Sequence, residues 1–298
     1  MSPVGVSGLA GGPRSVAVLG HPQNPDGGWS YTRGVSWTEP TVYAVLASLA
    51  AGETDLVQRG LRWLRAQQRP DGGWPPQPGV DESVWVTALV ALLPPGQLGE
   101  AEHSRAIQWL IETTGAESRL MYRLRGWLLG QGPLSAREPP GWPWETDAAA
   151  WVAPTSFAIL ALEKEQRRGP RRELQQRIDE GRRFLLARTC QDGGWNHGGV
   201  QALGYPSRAY PETTGLALAA LHGVRAPQVD EGLALAQRFL GECRSADAWN
   251  WLRLGLLIQG KLPPQAAPAA PLTCRTVPEA ALDLTITAAV QGGTGFWV

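Results

Sequence analysis

Gln68-Arg-Pro-Asp-Gly-Gly-Trp74 decides how this chain folds, because the chain says it three times. Gln23-Asn-Pro-Asp-Gly-Gly-Trp29 and Gln191-Asp-Gly-Gly-Trp195 are near-copies, Gly141-Trp142 stands where a degenerate copy falls, and Gln291-Gly-Gly-Thr-Gly-Phe-Trp297 reads as a last one. Repetition of this kind marks an array of one supersecondary unit. Asp and Gly-Gly make a tight reversal after a helix, with glycine free to take positive φ. The Gln amide can satisfy backbone groups left open there, and the Trp covers the junction to the next unit. A Trp so buried removes ~150–250 Å² from water, on the order of 4–6 kcal/mol before entropy costs. Asp26, Trp29, Asp71, Trp74, Asp192 and Trp195 are therefore structural repeat residues.

The phrase has a constant setting. A helix ending in Gly-x-x-aromatic-Leu precedes it, as in Gly60-Leu-Arg-Trp63-Leu64 and Gly181-Arg-Arg-Phe184-Leu185; Trp109-Leu110 and Phe239-Leu240 repeat the pair without Asp-Gly-Gly-Trp after it. A polar loop and an apolar helix follow. The apolar helices begin at Glu39-Pro-Thr, Asp81-Glu-Ser, Pro154-Thr-Ser, Pro211-Glu-Thr and Pro278-Glu-Ala. Pro or an acid in the first turn suits unpaired N–H groups and the helix dipole. Leading helices, 55–67 and 171–188, are amphipathic. The following ones, 41–51, 83–93, 155–163 and 213–222, are almost uncharged and must be buried on all sides. An outer amphipathic ring around an inner apolar ring predicts an all-α fold, one (α/α) toroid of about five to six hairpins over 21–298. Residues 1–20 read as a flexible lead and 262–275 as a Pro/Ala-rich connector.

Composition sets outer limits. Among 298 residues, 27 basic and 27 acidic side chains cancel, so no nucleic-acid partner is expected. Three separated cysteines give no disulfide framework and favour a reducing, cytoplasmic setting. Residues 1–20 lack a basic n-region, and apolar runs such as Val84–Leu93 fall short of the ~20 residues that span a bilayer. The expectation is a soluble chain, with peripheral membrane contact or a protein partner left open.

Gly-x-x-aromatic-Leu followed by Gln and Gly-x-Trp resembles the QW motif of squalene–hopene and oxidosqualene cyclases, and is similar to the Gly-Gly-aromatic repeats of protein prenyltransferase β-subunits. The resemblance covers roughly residues 20–298 and implies an apolar central cavity for an isoprenoid chain. It also implies a proton-donating acid at an inner-helix start. The family's Asp-x-Asp-Asp is missing; Glu212, in Tyr210-Pro-Glu-Thr-Thr214, is the positional counterpart and the candidate catalytic acid. A carboxylic acid in an apolar cavity can stay protonated and donate. Glu39, Glu82 and Glu279 recur at equivalent places, which is also how a simple helix-start device would look.

Tyr43, Trp85, Trp142, Trp144, Trp151 and Tyr210 are the candidate cavity lining, where aromatic faces attract carbocations; Trp142 and Trp144 equally suit a loop replacing a missing repeat turn. The prenyltransferase zinc set of Asp, Cys and His has no counterpart at the inner-helix starts. Cys190, Asp192 and His197 form a weaker alternative metal group, so no cofactor is expected while zinc and magnesium stay open. Polysaccharide lyases also contain Gly-Gly-Trp-Pro turns, but uncharged inner helices do not make a polar groove. Two functions follow: a terpene-cyclase-like enzyme opening with protonation, or a non-catalytic toroid binding a lipid, peptide or protein.

Overall fold

The computed structural model describes residues 22–118, 124, 127–129, 139–199, 201–202, 205–268 and 271–291. The N-terminal lead and all but Gln291 of the last repeat phrase lie outside them. Helices dominate: α1 Thr38–Ala51, α2 Thr54–Gln67, α3 Val86–Ala91, the single turn α4 Pro95–Leu98, α5 Glu100–Glu112, α6 Val152–Arg168, α7 Arg172–Ala187, α8 Pro211–Ala220, α9 Pro227–Glu242, α10 Ala246–Ile258 and α11 Val277–Val290. A two-residue hairpin, β1 Gln201–Ala202 with β2 Tyr205–Pro206, decorates one loop.

The packing order closes on itself. α1 packs on α3, α3 on α6, α6 on α8, α8 on α10, α10 on α11, and α11 returns to α1. Around this circuit, α2 backs α1, α5 backs α3, α7 backs α6 and α9 backs α8. This is the (α/α) toroid, with charge segregated as the two rings require. The bodies of α1 and α8 are buried almost throughout. In α2 the buried residues Val57, Gly60, Leu61, Trp63 and Leu64 form one stripe. Among the described residues no helix is long and apolar enough to cross a membrane.

The repeated phrase builds the joints. Each repeat Trp donates its backbone N–H to a threonine hydroxyl in the first turns of the next inner helix: Trp29 to Thr41 at 2.8 Å, Trp74 to Thr87 at 2.9 Å, Trp142 to Thr155 at 2.9 Å and Trp195 to Thr214 at 3.1 Å. Indole N–H groups then satisfy carbonyls at the ends of outer helices: Trp74 on Leu64 at 2.7 Å, Trp142 on Leu110 at 2.8 Å and Trp195 on Leu185 at 2.7 Å. All four tryptophans are fully buried. Glycines of the outer helices make their seat, Gly60 and Gly181 from Gly-x-x-aromatic-Leu and Gly232 from α9 outside that motif. A Cβ on Gly60 would stand 3.1 Å from the Trp29 ring, one on Gly181 2.8 Å from Trp142, and one on Gly232 2.5 Å from Trp195.

The rest of the phrase is equally occupied. Asp71 accepts from the Gly73 N–H at 3.0 Å and the Ser83 hydroxyl at 2.7 Å, and Gln68 donates to the carbonyls of Gly72 and Glu102, both at 2.9 Å. Gly72 takes φ +92°, and a Cβ on Gly73 would fall 2.5 Å from Ser83 Cβ. One glycine supplies the turn and the other the close approach.

Two sequence expectations shift. The segment Asp81-Glu-Ser83 does not begin a helix. The chain stays extended there, the Val84 N–H donating to the Trp74 carbonyl at 2.9 Å, and α3 starts at Val86. Asp81 instead pairs with Arg69 at 2.6 Å. In the other direction, α10 is an inner helix that no Asp-Gly-Gly-Trp phrase precedes.

Candidate functional site

First-turn residues of α1, α8, α10 and α11 converge on one central cavity of about 320 Å³. Glu39 reaches it from α1, Glu212 and Thr213 from α8, Asp247 from α10 and Pro278 from α11. Four helix N-termini meeting at one place gather positive partial charge, which favours carboxylates there. Glu279, one residue further along α11, is a capping residue: Thr276 and Glu279 exchange backbone and side-chain hydrogen bonds in a capping box.

The acids are not equivalent. Glu39 accepts a short hydrogen bond from the Tyr31 hydroxyl. Burial pushes its pKa up to about 7, against the pull of that hydrogen bond, and the Asp247 carboxylate adds to the rise. Asp247 is raised to about 6, first by burial, then by the charges of Glu212 and Glu279. The Trp251 indole N–H, 3.1 Å from Asp247 Oδ1, opposes that rise. Burial and crowding both resist ionisation, so Glu39 and Asp247 keep their protons to higher pH than exposed carboxyls do.

A continuous run of aromatic rings shares the cavity with the acids. Tyr43 meets Trp251 at 6.4 Å between ring centroids, Trp251 meets Phe157 at 5.4 Å, Phe157 meets Trp85 at 5.5 Å, and Trp85 meets Trp144 edge-to-face at 4.8 Å. All five line the cavity, with Leu216 and Leu282 beside them. Such a surface is apolar and electron-rich at once, able to hold a hydrocarbon chain and to stabilise positive charge on it.

The other sequence candidates lie elsewhere. Trp142 is packed in a repeat joint, away from the cavity, with the Arg177 guanidinium 4.0 Å above its ring. Trp151 and Tyr210 are 38 % and 44 % exposed and flank His197, at 6.3 Å and 5.3 Å between centroids. His197 itself touches the cavity. Asp192 accepts from the Ala209 N–H at 3.1 Å, and the Cys190 thiol is buried, its pKa raised. Among the described residues no three His, Cys, Asp or Glu side chains gather as a metal group, so Cys190, Asp192 and His197 do not come together as one.

Sequence reasoning overlooked Asp247, Trp251 and Phe157. A readable signal existed for Asp247: Ser245 caps α10, and Asp247 stands in its first turn as Glu212 does in α8.

No family model matches the chain. A 56-residue stretch is 38% identical to the α-onocerin synthase LCD of Lycopodium clavatum, but this is 17% of the chain and 7% of that much longer protein. Among solved structures, the endo-β-1,4-glucanase CMCax of Acetobacter xylinum aligns over 92% of this chain and 96% of its own, at TM-score 0.56 and 15% identity. The type II terpene cyclase MstE of Scytonema, bound to its substrate geranylgeranyl dihydroxybenzoate, aligns over 95% of this chain and 78% of its own, at TM-score 0.53 and 17% identity. At such identities the likeness is one of fold, and the fold is the (α/α) toroid.

Proposed function

We propose that this toroid takes an isoprenoid-type chain into its central cavity and cyclises it, with Asp247 as the proton donor. The observation that carries this reading is the Asp247 carboxyl, held near pKa 6 first by burial and then by the charges of Glu212 and Glu279, in one cavity with Tyr43, Trp251, Phe157 and Trp85. Asp247 Oδ–H gives its proton to a terminal alkene carbon. The π pair becomes the new C–H bond, and the adjacent carbon becomes a cation against the aromatic faces. The next alkene supplies the electrons for the ring C–C bond, and loss of a proton from the last cation to a neighbouring carboxylate makes the overall change an isomerisation. Glu212, the acid named from sequence, acts here by keeping Asp247 protonated.

The test is incubation with farnesol, geranylgeraniol, their diphosphates and squalene, with mass spectrometry of products from the wild type, Asp247→Asn and Glu212→Gln. Products lost at least 100-fold in Asp247→Asn and reduced less in Glu212→Gln fit the assignment; equal loss in both would move the donor role to the pair. One observation favours a second reading: several carboxylates and tryptophans sharing a cavity also suit glycoside hydrolysis. Release of sugar from a β-1,4-glucan oligosaccharide, with no isoprenoid product, would replace the first reading with the second.

A further inference from the structure

A second cavity, of about 310 Å³, adjoins the central one, and Trp85 and Trp144 line both. The two chambers therefore meet along one shared edge, an edge-to-face indole pair whose backbones are also joined, the Trp85 N–H donating to the Trp144 carbonyl at 3.2 Å. The Trp144 loop is pinned a second time, its Thr146 N–H donating to Glu82 at 2.8 Å. The two chambers differ in chemistry. The central one is mainly hydrocarbon and aromatic around its acids. The outer one adds Trp109, Thr113, Thr146, Glu112 and Glu145 to the shared indoles. Among the described lining residues, neither chamber has a lysine or arginine.

Resting on the reading of the central cavity as an isoprenoid site, we propose that the outer chamber binds the head of the same substrate, and that this head is uncharged and hydroxylated. Carboxylates are acceptors only, and the threonine hydroxyls can accept as well, so the chamber is matched to a group that donates hydrogen bonds. The indole faces supply flat apolar contact for the carbon skeleton bearing those hydroxyls. A diphosphate would bring several negative charges beside Glu112 and Glu145, with no lysine or arginine among the described lining residues to meet them. The difference between the two linings fixes which end of the substrate faces Asp247: the apolar terminus lies inward, the head outward.

The test compares dissociation constants of geranylgeraniol, its methyl ether and its diphosphate by tryptophan fluorescence of the full chain at fixed ionic strength. The expected order is alcohol tightest, methyl ether several-fold weaker for want of the donor, and diphosphate at least ten-fold weaker. Glu112 and Glu145 are exposed, so the double variant Glu112→Lys, Glu145→Lys is compatible with folding; it is expected to bring the diphosphate to within three-fold of the alcohol. Wild-type binding of the diphosphate as tight as that of the alcohol, or an unchanged ratio in the double variant, overturns the head-group assignment while leaving the central cavity an isoprenoid site. Failure of all three to bind overturns the isoprenoid reading, and the head-group assignment with it.

Discussion

The threonines that receive the repeat tryptophans carry much of the joint. Thr41, Thr87, Thr155 and Thr214 each accept a backbone N–H sealed from solvent. Leaving such a donor unmet costs about 1–3 kcal/mol. Thr87→Val keeps the shape and removes the acceptor, so urea melts should show a loss in that range; a loss below ~0.5 kcal/mol would mean the hydroxyl is dispensable. The phrase itself was legible because Asp, Gly and Trp leave a literal repeat. The threonines were not, since their partner is a backbone group and any β-branched residue there would look alike in sequence. Acids at the cavity make a second prediction. Glu39 and Asp247 have folded pKa values raised to about 7 and about 6, well above the ordinary carboxylate range. The folded state therefore binds their protons more tightly. Their contribution to stability is full below about pH 4 and lost as pH rises through 6 to 7. Thermal melts of Glu39→Gln should gain on the wild type progressively from pH 4.5 to 7; a difference independent of pH would deny the raised value.

At the scale of elements, the closest contact is between α8 and α10. A Cβ on Gly255 would lie 2.2 Å from the Gly215 carbonyl oxygen, and one on Gly215 2.3 Å from the Trp251 backbone. The two backbones touch, and this brings the Glu212 and Asp247 turns to the same cavity. Gly255→Ala is expected to cost about 1–3 kcal/mol through forced separation. Gly241→Ala in α9 meets open space and should instead stabilise by up to about 1 kcal/mol from helix propensity. Chemical denaturation of both variants checks the pair, and equal effects would deny the close packing. Helix identity was mostly legible: uncharged bodies predicted α1, α6 and α8, and charged stripes predicted α2 and α7. α10 escaped because no Asp-Gly-Gly-Trp announces it and its body carries Asp247 and Arg253. Arg253 reaches Asp283 on α11 at 3.0 Å, a pairing that only the closed ring creates. Asp81-Glu-Ser83 misled in the opposite way, having the residues of a helix cap while its Ser83 hydroxyl serves the preceding turn.

Over the whole molecule, the circuit of inner helices polarises the toroid. Carboxylates gather where the N-termini of α1, α8, α10 and α11 meet. At C-terminal helix ends, cations close the carbonyls: Lys164 donates to Leu92 at 2.8 Å, and Arg182 to His222 at 2.9 Å while also pairing with Glu163. Each charge sits where the helix dipoles favour it. The ring was legible because alternation of amphipathic and apolar hairpins has few other solutions. The site was not, because a cavity is assembled from first turns dozens of residues apart, and only closure of the ring makes Asp247 a neighbour of Glu39, Glu212 and Glu279. Cyclisation in this cavity requires one of its acids to transfer a solvent-exchangeable proton to carbon. Turnover of geranylgeraniol in D₂O, read by mass spectrometry, tests it most directly. The expected result is a cyclised product one mass unit heavier than that formed in H₂O, and none from Asp247→Asn. A product without deuterium, or undiminished product from Asp247→Asn, would contradict it.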